Sequence, residues 1–171
     1  MNLSELIQKR QSDRKYESRP VSREMVMKCL EAARLAPSAC NSQPWKFVVV
    51  DDVALLPQMG AAAAGMGMNG FAREVPVIVA VVLEKMNLTA RIGKEYSLLD
   101  VGIAVEHFCL QAAELGLGTC IMGWFDEKKV KKLLGIKGKR VPLLISLGYP
   151  AGETRKKARK SLEEMSSWNQ Y

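Results

Sequence analysis

Arg10, Ser12 and Arg14 stand at alternate positions in the run Arg10-Gln11-Ser12-Asp13-Arg14, so two guanidinium groups flank one hydroxyl. Forked, permanently charged donors of this kind suit a phosphate, although the same spacing also suits a solvated helix end. A second cluster, Pro37-Ser38-Ala39-Cys40-Asn41-Ser42-Gln43-Pro44-Trp45, gathers amide and hydroxyl side chains in a loop pinned by two prolines. Burying such groups is costly unless they find partners. A flat heterocycle edged with carbonyls and ring nitrogens would supply them, because Asn and Gln both donate and accept. A third cluster, Lys157-Ala158-Arg159-Lys160, could close around the same phosphate from the other end of the chain.

Other chemistries find little support. Four cysteines (Cys29, Cys40, Cys109, Cys120) show no CxxC spacing and His107 is the one histidine, so no metal site is expected. The cysteines read as reduced thiols used as small apolar residues. A Ser–His–Asp set is excluded because His107 falls in a helix whose surroundings suggest burial. Gly65-Met66-Gly67-Met68-Asn69-Gly70 has two glycines of a dinucleotide fingerprint but no strand directly before it.

Composition narrows the class. The 171 residues suit a single domain, 1–171, with 48% hydrophobic and 25% charged residues, as in an ordinary globular protein. The net charge of +7 is split among Lys9 to Lys15, Lys128 to Lys132 and Arg155 to Lys160. Tyr16, Trp45 and Trp168 make no base-stacking platform beside these groups, so no nucleic-acid partner is expected. No run approaches ~18 uncharged apolar residues, and the N-terminus lacks a signal-peptide core. No membrane association is expected, and the default location is cytoplasmic.

The elements that must position these clusters are legible in outline. A helix over 3–10 groups Leu3, Leu6 and Ile7. A second helix starts at Ser22, an N-cap flanked by Val21 and Val26 as a hydrophobic staple, carries Met25, Val26, Cys29, Leu30 and Ala33 inward, and stops near Pro37. Strands are expected at 45–50, 75–83, 119–122 and 141–147, the second buried on both faces because VPVIVAVVL is uninterrupted. Between the last two, Asp126 caps a short helix running to Leu134. Residues 53–70 read as part helix, with glycines at 65, 67 and 70 arguing for a loose end or mobile flap.

The helix over 97–115 is the most informative. At ~100° per residue, Asp100, His107, Gln111 and Glu114 fall within roughly 60°, and most of the remaining circumference is apolar. A domain of this size rarely buries a helix on nearly every side, so a partner subunit is expected against it; a central helix within one subunit is the alternative. After Pro150 the chain turns basic, yet Leu162, Met165 and Trp168 recur at spacing three, which fits a docking arm better than disorder.

The run QSDRKYESRPVSREMVMKCLEAARLAPSACNSQPWKFVVV resembles the opening of the nitroreductase family. That family commonly shows R-x-S-x-R/K-x-[FY], then x-P-[VI], then A-P-S-x-x-N-x-Q-P-W. Arg10, Ser12, Arg14 and Tyr16 match the first motif, Pro20 and Val21 the second, and Ala36 to Trp45 the third. DVGIAVEHFCLQAAELGLGTCIMGWF is similar to the family's dimer helix and following strand, and KARKSLEEMSSW to its closing arm.

The resemblance implies an α+β fold: a central mixed, mainly antiparallel sheet flanked by helices, in an intertwined homodimer whose arms (about 153–171) pack on the partner. It implies FMN as cofactor, with Arg10, Ser12 and Arg14 on the phosphate and ribityl chain, and Lys157 and Arg159 approaching from the C-terminal segment. Pro37, Ser38 and Asn41, in the loop with Ala39 and Gln43, would face the flavin of the other subunit, while Met122 and Gly123 would lie beside its N5 edge. Several members carry an acidic residue at the position of Met122. The activity implied is transfer of hydride from NAD(P)H through flavin N5 to a small acceptor such as a nitroaromatic or quinone, in ping-pong fashion and with no catalytic side chain. A flavin-dependent ene-reductase or dehalogenase on the same scaffold, or a non-enzymatic flavin carrier or sensor, are the alternatives. Between Val82 and Leu98 there is little room for extra helices, so the substrate pocket should be shallow or built by residues 60–73.

Overall fold

The structure is a computed structural model and describes residues 1–84, 93–153 and 155–171. The segment between Val82 and Leu98 on which the pocket argument rests falls mostly outside those residues.

Four strands, β1 (Trp45–Val50), β2 (Val77–Leu83), β3 (Gly118–Met122) and β4 (Leu143–Gly148), form one sheet in the order β1-β2-β4-β3. Every neighbouring pair is antiparallel, and the parallel component is a single bridge from Ser12 to Thr119. Strand β2 starts two residues later than its apolar run, after Pro76, which has no N–H to give to a ladder. Its residues alternate between two cores, as successive strand side chains must. Val77, Val79 and Val81 pack with Ile145 and Leu147 under α2 (Arg23–Arg34) and α4 (Gly93–Glu114), around Phe108 and Cys109. Ile78, Ala80 and Val82 pack with Leu144 on the other side, under α3 (Leu56–Ala63) and α5 (Glu127–Leu133), around Met59 and Val130. The sheet is thus a central layer with helices on both faces, the α+β arrangement expected.

Local chemistry sets the helix ends. Ser22 accepts the Met25 N–H at 3.4 Å and Asp126 accepts that of Lys129 at 3.0 Å, as read from the sequence. Asn2 closes a capping box with Glu5 at the head of α1 (Leu3–Lys9). On α1, Leu3 and Ile7 stay exposed while Leu6 is half-buried. One expectation fails in part, that for the cysteines. Cys29, Cys109 and Cys120 are buried, but Cys40 is exposed. Burial pushes the Cys29 thiol up to about 12 and that of Cys109 to about 11, so both stay protonated and unreactive.

Residues 65–70 are not a loose end. Asn69 donates its side-chain N–H to the Trp124 carbonyl at 2.6 Å, and Asp126 N–H reaches the Ala62 carbonyl at 3.0 Å. Gly65 is buried with φ +44°, and a Cβ there would stand 2.7 Å from the Trp124 oxygen, so only glycine permits this approach. No helix among the described residues is long and apolar enough to cross a membrane.

Candidate functional site

Helix α1 ends because Arg10 turns to extended backbone (φ −55°, ψ 126°), and the chain from Arg10 to Tyr16 then runs along the sheet edge. Asp13 N–H donates to the Thr119 carbonyl at 2.8 Å, and Glu17 N–H to that of Tyr149 at 2.9 Å. Close passage requires Gly118, where a Cβ would meet the Asp13 carboxyl at 2.6 Å. Below the segment, Tyr16 donates its hydroxyl proton to the Asp13 carbonyl at 2.7 Å.

The C-terminal segment returns along the same edge. Ala151 N–H donates to the Lys15 carbonyl at 3.0 Å, Arg155 N–H to Gln11 Oε1 at 2.9 Å, and the Arg155 guanidinium to the Ser12 carbonyl. Lys157 donates to the Ile7 carbonyl. Arg10, Ser12, Arg14, Lys157 and Arg159 are therefore brought to one place, as the sequence suggested.

Electrostatics confirm the proximity. Loss of hydration, with the charges of Arg10 and Arg159, lowers the Lys157 pKa, and Glu106 opposes them. Burial raises the Cys120 thiol, against the pull of Arg14 and a hydrogen bond from Ser12, with Arg155 adding to them. Burial also raises the Asp13 carboxyl, opposed by the Gln11 amide at 2.8 Å and by the Arg155 charge. Among these cations, Arg10 has an acidic partner, Glu106 of α4, at 3.2 Å. Arg155 was missed by sequence reading. Its signal was available: 155, 157 and 159 share one face of an extended chain, the period-two pattern rather than the contiguous run.

The second cluster sits elsewhere on α4. Ala39 N–H donates to Asp100 at 3.1 Å, and Gln43 N–H to the Ser38 hydroxyl at 3.0 Å. The Gln43 amide folds back on Asn41, donating to its backbone and side-chain oxygens at 3.1 and 3.0 Å. Pro37, Asn41 and Gln43 stay exposed, while Ser38 and Ala39 are half-buried. Among the described residues, no hydrogen bond or ion pair joins this loop to the cationic cluster. Asp100 and Glu106, their respective anchors, lie six residues apart on α4, about 9 Å along the axis and about 120° around it. The two clusters are thus separate on one chain.

Met122 and Gly123 end β3. The Met122 side chain is buried in the core beneath the sheet, so at this position only backbone is available to a ligand. Gly123 is exposed, and Trp124 beside it is 59% exposed. Met66 and Trp124 line a cleft with Ala61 and Lys129 next to this strand end.

The sequence model of the nitroreductase family matches residues 7–67 and 63–149. The oxygen-insensitive NADPH nitroreductase of Helicobacter pylori is 29% identical, the match covering 81% of this chain and 82% of that protein. The crystal structure of a nitroreductase family protein from Clostridium novyi superposes with a TM-score of 0.79 at 32% identity, covering 92% of this chain and 89% of that one. An FMN-dependent nitroreductase from Clostridium difficile superposes at 0.80 with 28% identity, covering 97% and 98%. Motifs, fold and comparisons agree, and the chain belongs to the nitroreductase family.

Proposed function

We propose that this protein is an FMN-dependent oxidoreductase that carries hydride from NADH or NADPH to a small electron acceptor, a nitroaromatic or a quinone. The observation that carries this reading is the cationic cluster. Arg14 and Arg155 both reach the Ser12 carbonyl, Lys157 reaches that of Ile7, and, after loss of hydration, the charges of Arg10 and Arg159 lower the Lys157 pKa. A bound phosphate relieves that repulsion, and the forked guanidinium groups match its oxygens. The donor set therefore fits FMN.

Arg10, Ser12, Arg14, Lys157 and Arg159, joined by Arg155, hold the phosphate and ribityl chain. Pro37, Ser38, Ala39, Asn41 and Gln43 of the other subunit border the ring, and the backbone at Met122 and Gly123 meets its reactive edge. When bound, the flavin supplies reversible hydride exchange at N5. The residues named would position it, and the cleft beside Met66 and Trp124 would offer room for donor and acceptor. Donor and acceptor occupy that cleft in turn, which is ping-pong kinetics. No side chain is assigned a proton transfer; water or the acceptor supplies the proton.

A homodimer is part of the proposal. Two half-sites on different faces of α4 call for a second chain, and Leu98, Leu99 and Ile103 form an exposed apolar face on that helix. The arm from residue 153 onward leaves Leu162, Met165 and Trp168 uncovered, the last at 90% exposure, ready for the partner. Four free cysteines suit the cytoplasm.

Reconstitution tests the reading. Purified protein should take up FMN one per chain, bleach anaerobically with NADH or NADPH, and recolour with p-benzoquinone or p-nitrobenzoate. Parallel double-reciprocal lines are expected in steady state. Arg14→Ala should weaken FMN binding by about 1.5–3 kcal/mol, the loss of a charged hydrogen bond. Protein that binds no FMN, or flavoprotein that neither nicotinamide bleaches, would overturn it.

A further inference from the structure

The loop Ser38–Gln43 holds an unusual backbone. Cys40, Asn41 and Gln43 have φ of 51°, 53° and 47°, in the left-handed region that costs every residue except glycine. Its own bonds are short-range: Asn41 N–H to the Ser38 carbonyl at 3.0 Å, Ser42 N–H to that of Ala39 at 3.1 Å, and the Ser38 and Gln43 contacts described above. Local bonds of this kind do not fix where the loop sits on the body of the protein. Among the described residues, the hydrogen bond that does so comes from Asp100, through the Ala39 N–H.

Asp100 is placed for that task. It lies on α4, the longest helix, and is only 4% exposed. One carboxyl oxygen accepts the Ala39 N–H, and the other is buried without a hydrogen-bond partner among the described residues. A buried oxygen left in that state is unfavourable. Of its two oxygens, the one that accepts the Ala39 N–H is thus the one that makes a bond.

We infer that Asp100 is a positioning residue for the flavin: by clamping the Ala39 N–H it sets the strained Ser38–Asn41 loop at the place where that loop borders the ring. The inference rests on the flavin reading proposed above. It also links the two functions of α4, since the exposed Leu99 and Ile103 flank Asp100 in sequence. Packing of the partner on α4 and presentation of the loop to the ring then share one rigid element.

The test compares FMN binding by the apoprotein forms of the wild type, Asp100→Ala and Asp100→Asn. Fluorescence titration gives the dissociation constant, and visible circular dichroism reports the ring's surroundings. Asn keeps the acceptor oxygen, and its amide replaces an oxygen that makes no hydrogen bond. Asp100→Asn should therefore bind within about threefold of wild type with an unchanged visible dichroism spectrum. Asp100→Ala should bind about tenfold more weakly with an altered one. Ala39→Pro removes the donor instead of the acceptor, at the first residue of a 3₁₀ turn, after a Ser38 whose extended backbone (φ −146°, ψ 156°) is the one a residue before proline favours. It should reproduce the alanine phenotype, and it decides the matter if Asp100→Ala does not fold. Wild-type affinity and dichroism in Asp100→Ala or, failing that variant, in Ala39→Pro would overturn the inference while leaving the flavin reading intact. So would a folded Asp100→Asn as impaired as Asp100→Ala. Wild-type protein that takes up no FMN would overturn both.

Discussion

The hydroxyl of Tyr16 lies 2.7 Å from that of Ser146 in β4, and this pair ties the cationic segment to the centre of the sheet. Ser146 Oγ in turn accepts the Cys120 N–H at 3.1 Å, so three chain segments meet at one buried hydroxyl pair. Tyr16 also packs its ring against Phe71, with centroids 6.4 Å apart. Arg10, Ser12 and Arg14 owe their placement to this anchor as much as to their own bonds.

Tyr16→Phe keeps the ring and removes the hydroxyl, leaving the Asp13 carbonyl without this partner while Ser146 keeps its bonds to the Cys120 N–H and carbonyl. The expected cost is about 1–3 kcal/mol of stability, the penalty for an orphaned buried polar group. Urea unfolding of wild type and variant measures it. A shift below about 0.5 kcal/mol, the ordinary scatter of surface substitutions, would mean that the pair carries no load.

Gly65 offers a contrast between two glycines. Gly65→Ala meets both a positive φ and the Trp124 carbonyl, whereas Gly67, at φ +90°, has nothing within 4 Å. Gly67→Ala should cost about 1 kcal/mol from strain alone. Gly65→Ala should cost more and should also disturb the Met66–Trp124 cleft. Thermal denaturation of the two variants, with acceptor KM measured on each, separates the effects. Equal losses of stability would contradict the close packing at Gly65.

Much of this architecture was legible because its signals are local. An uninterrupted apolar run identified β2, Ser22 and Asp126 marked helix starts, and the paired prolines bounded the loop at 37–44. Long-range partners left no such trace. A helical wheel grouped Asp100 with His107, Gln111 and Glu114 as one polar stripe, yet Asp100 is buried against Ala39 while Gln111 bonds Glu114 at the surface. Wheel angles describe one helix and not what packs on it. The same blindness made Gly65–Gly70 look loose, because the Asn69 bond to Trp124 joins residues far apart in sequence.

Lys157 should leave a signature in stability against pH. Its folded pKa is lowered below the ordinary lysine value of 10.5, so between those two values the unfolded chain binds more protons. Stability of the apoprotein should therefore rise with pH across that window and stay flat below it. Other groups titrate there too, so the quantity to follow is the Tm of wild type minus that of Lys157→Met at low ionic strength. A difference that climbs as pH approaches 10.5, and no longer climbs with FMN bound, is expected. A falling difference would reverse the sign of the interaction.

Ile103 ends the exposed apolar face of α4, one turn on from Leu99 and close to the Arg10–Glu106 pair. If a second chain covers this face, Ile103→Glu buries a charge in an apolar contact. Sedimentation should then give twice the 18.9 kDa chain mass for wild type and the single mass for the variant. On the proposed reading, in which the loop at 37–43 borders the partner's flavin, the monomeric variant should also lose most of its FMN affinity while keeping its far-ultraviolet dichroism. A wild-type protein that sediments as a monomer yet binds FMN tightly would break the link between dimer and flavin, and would require the two half-sites to close within one chain.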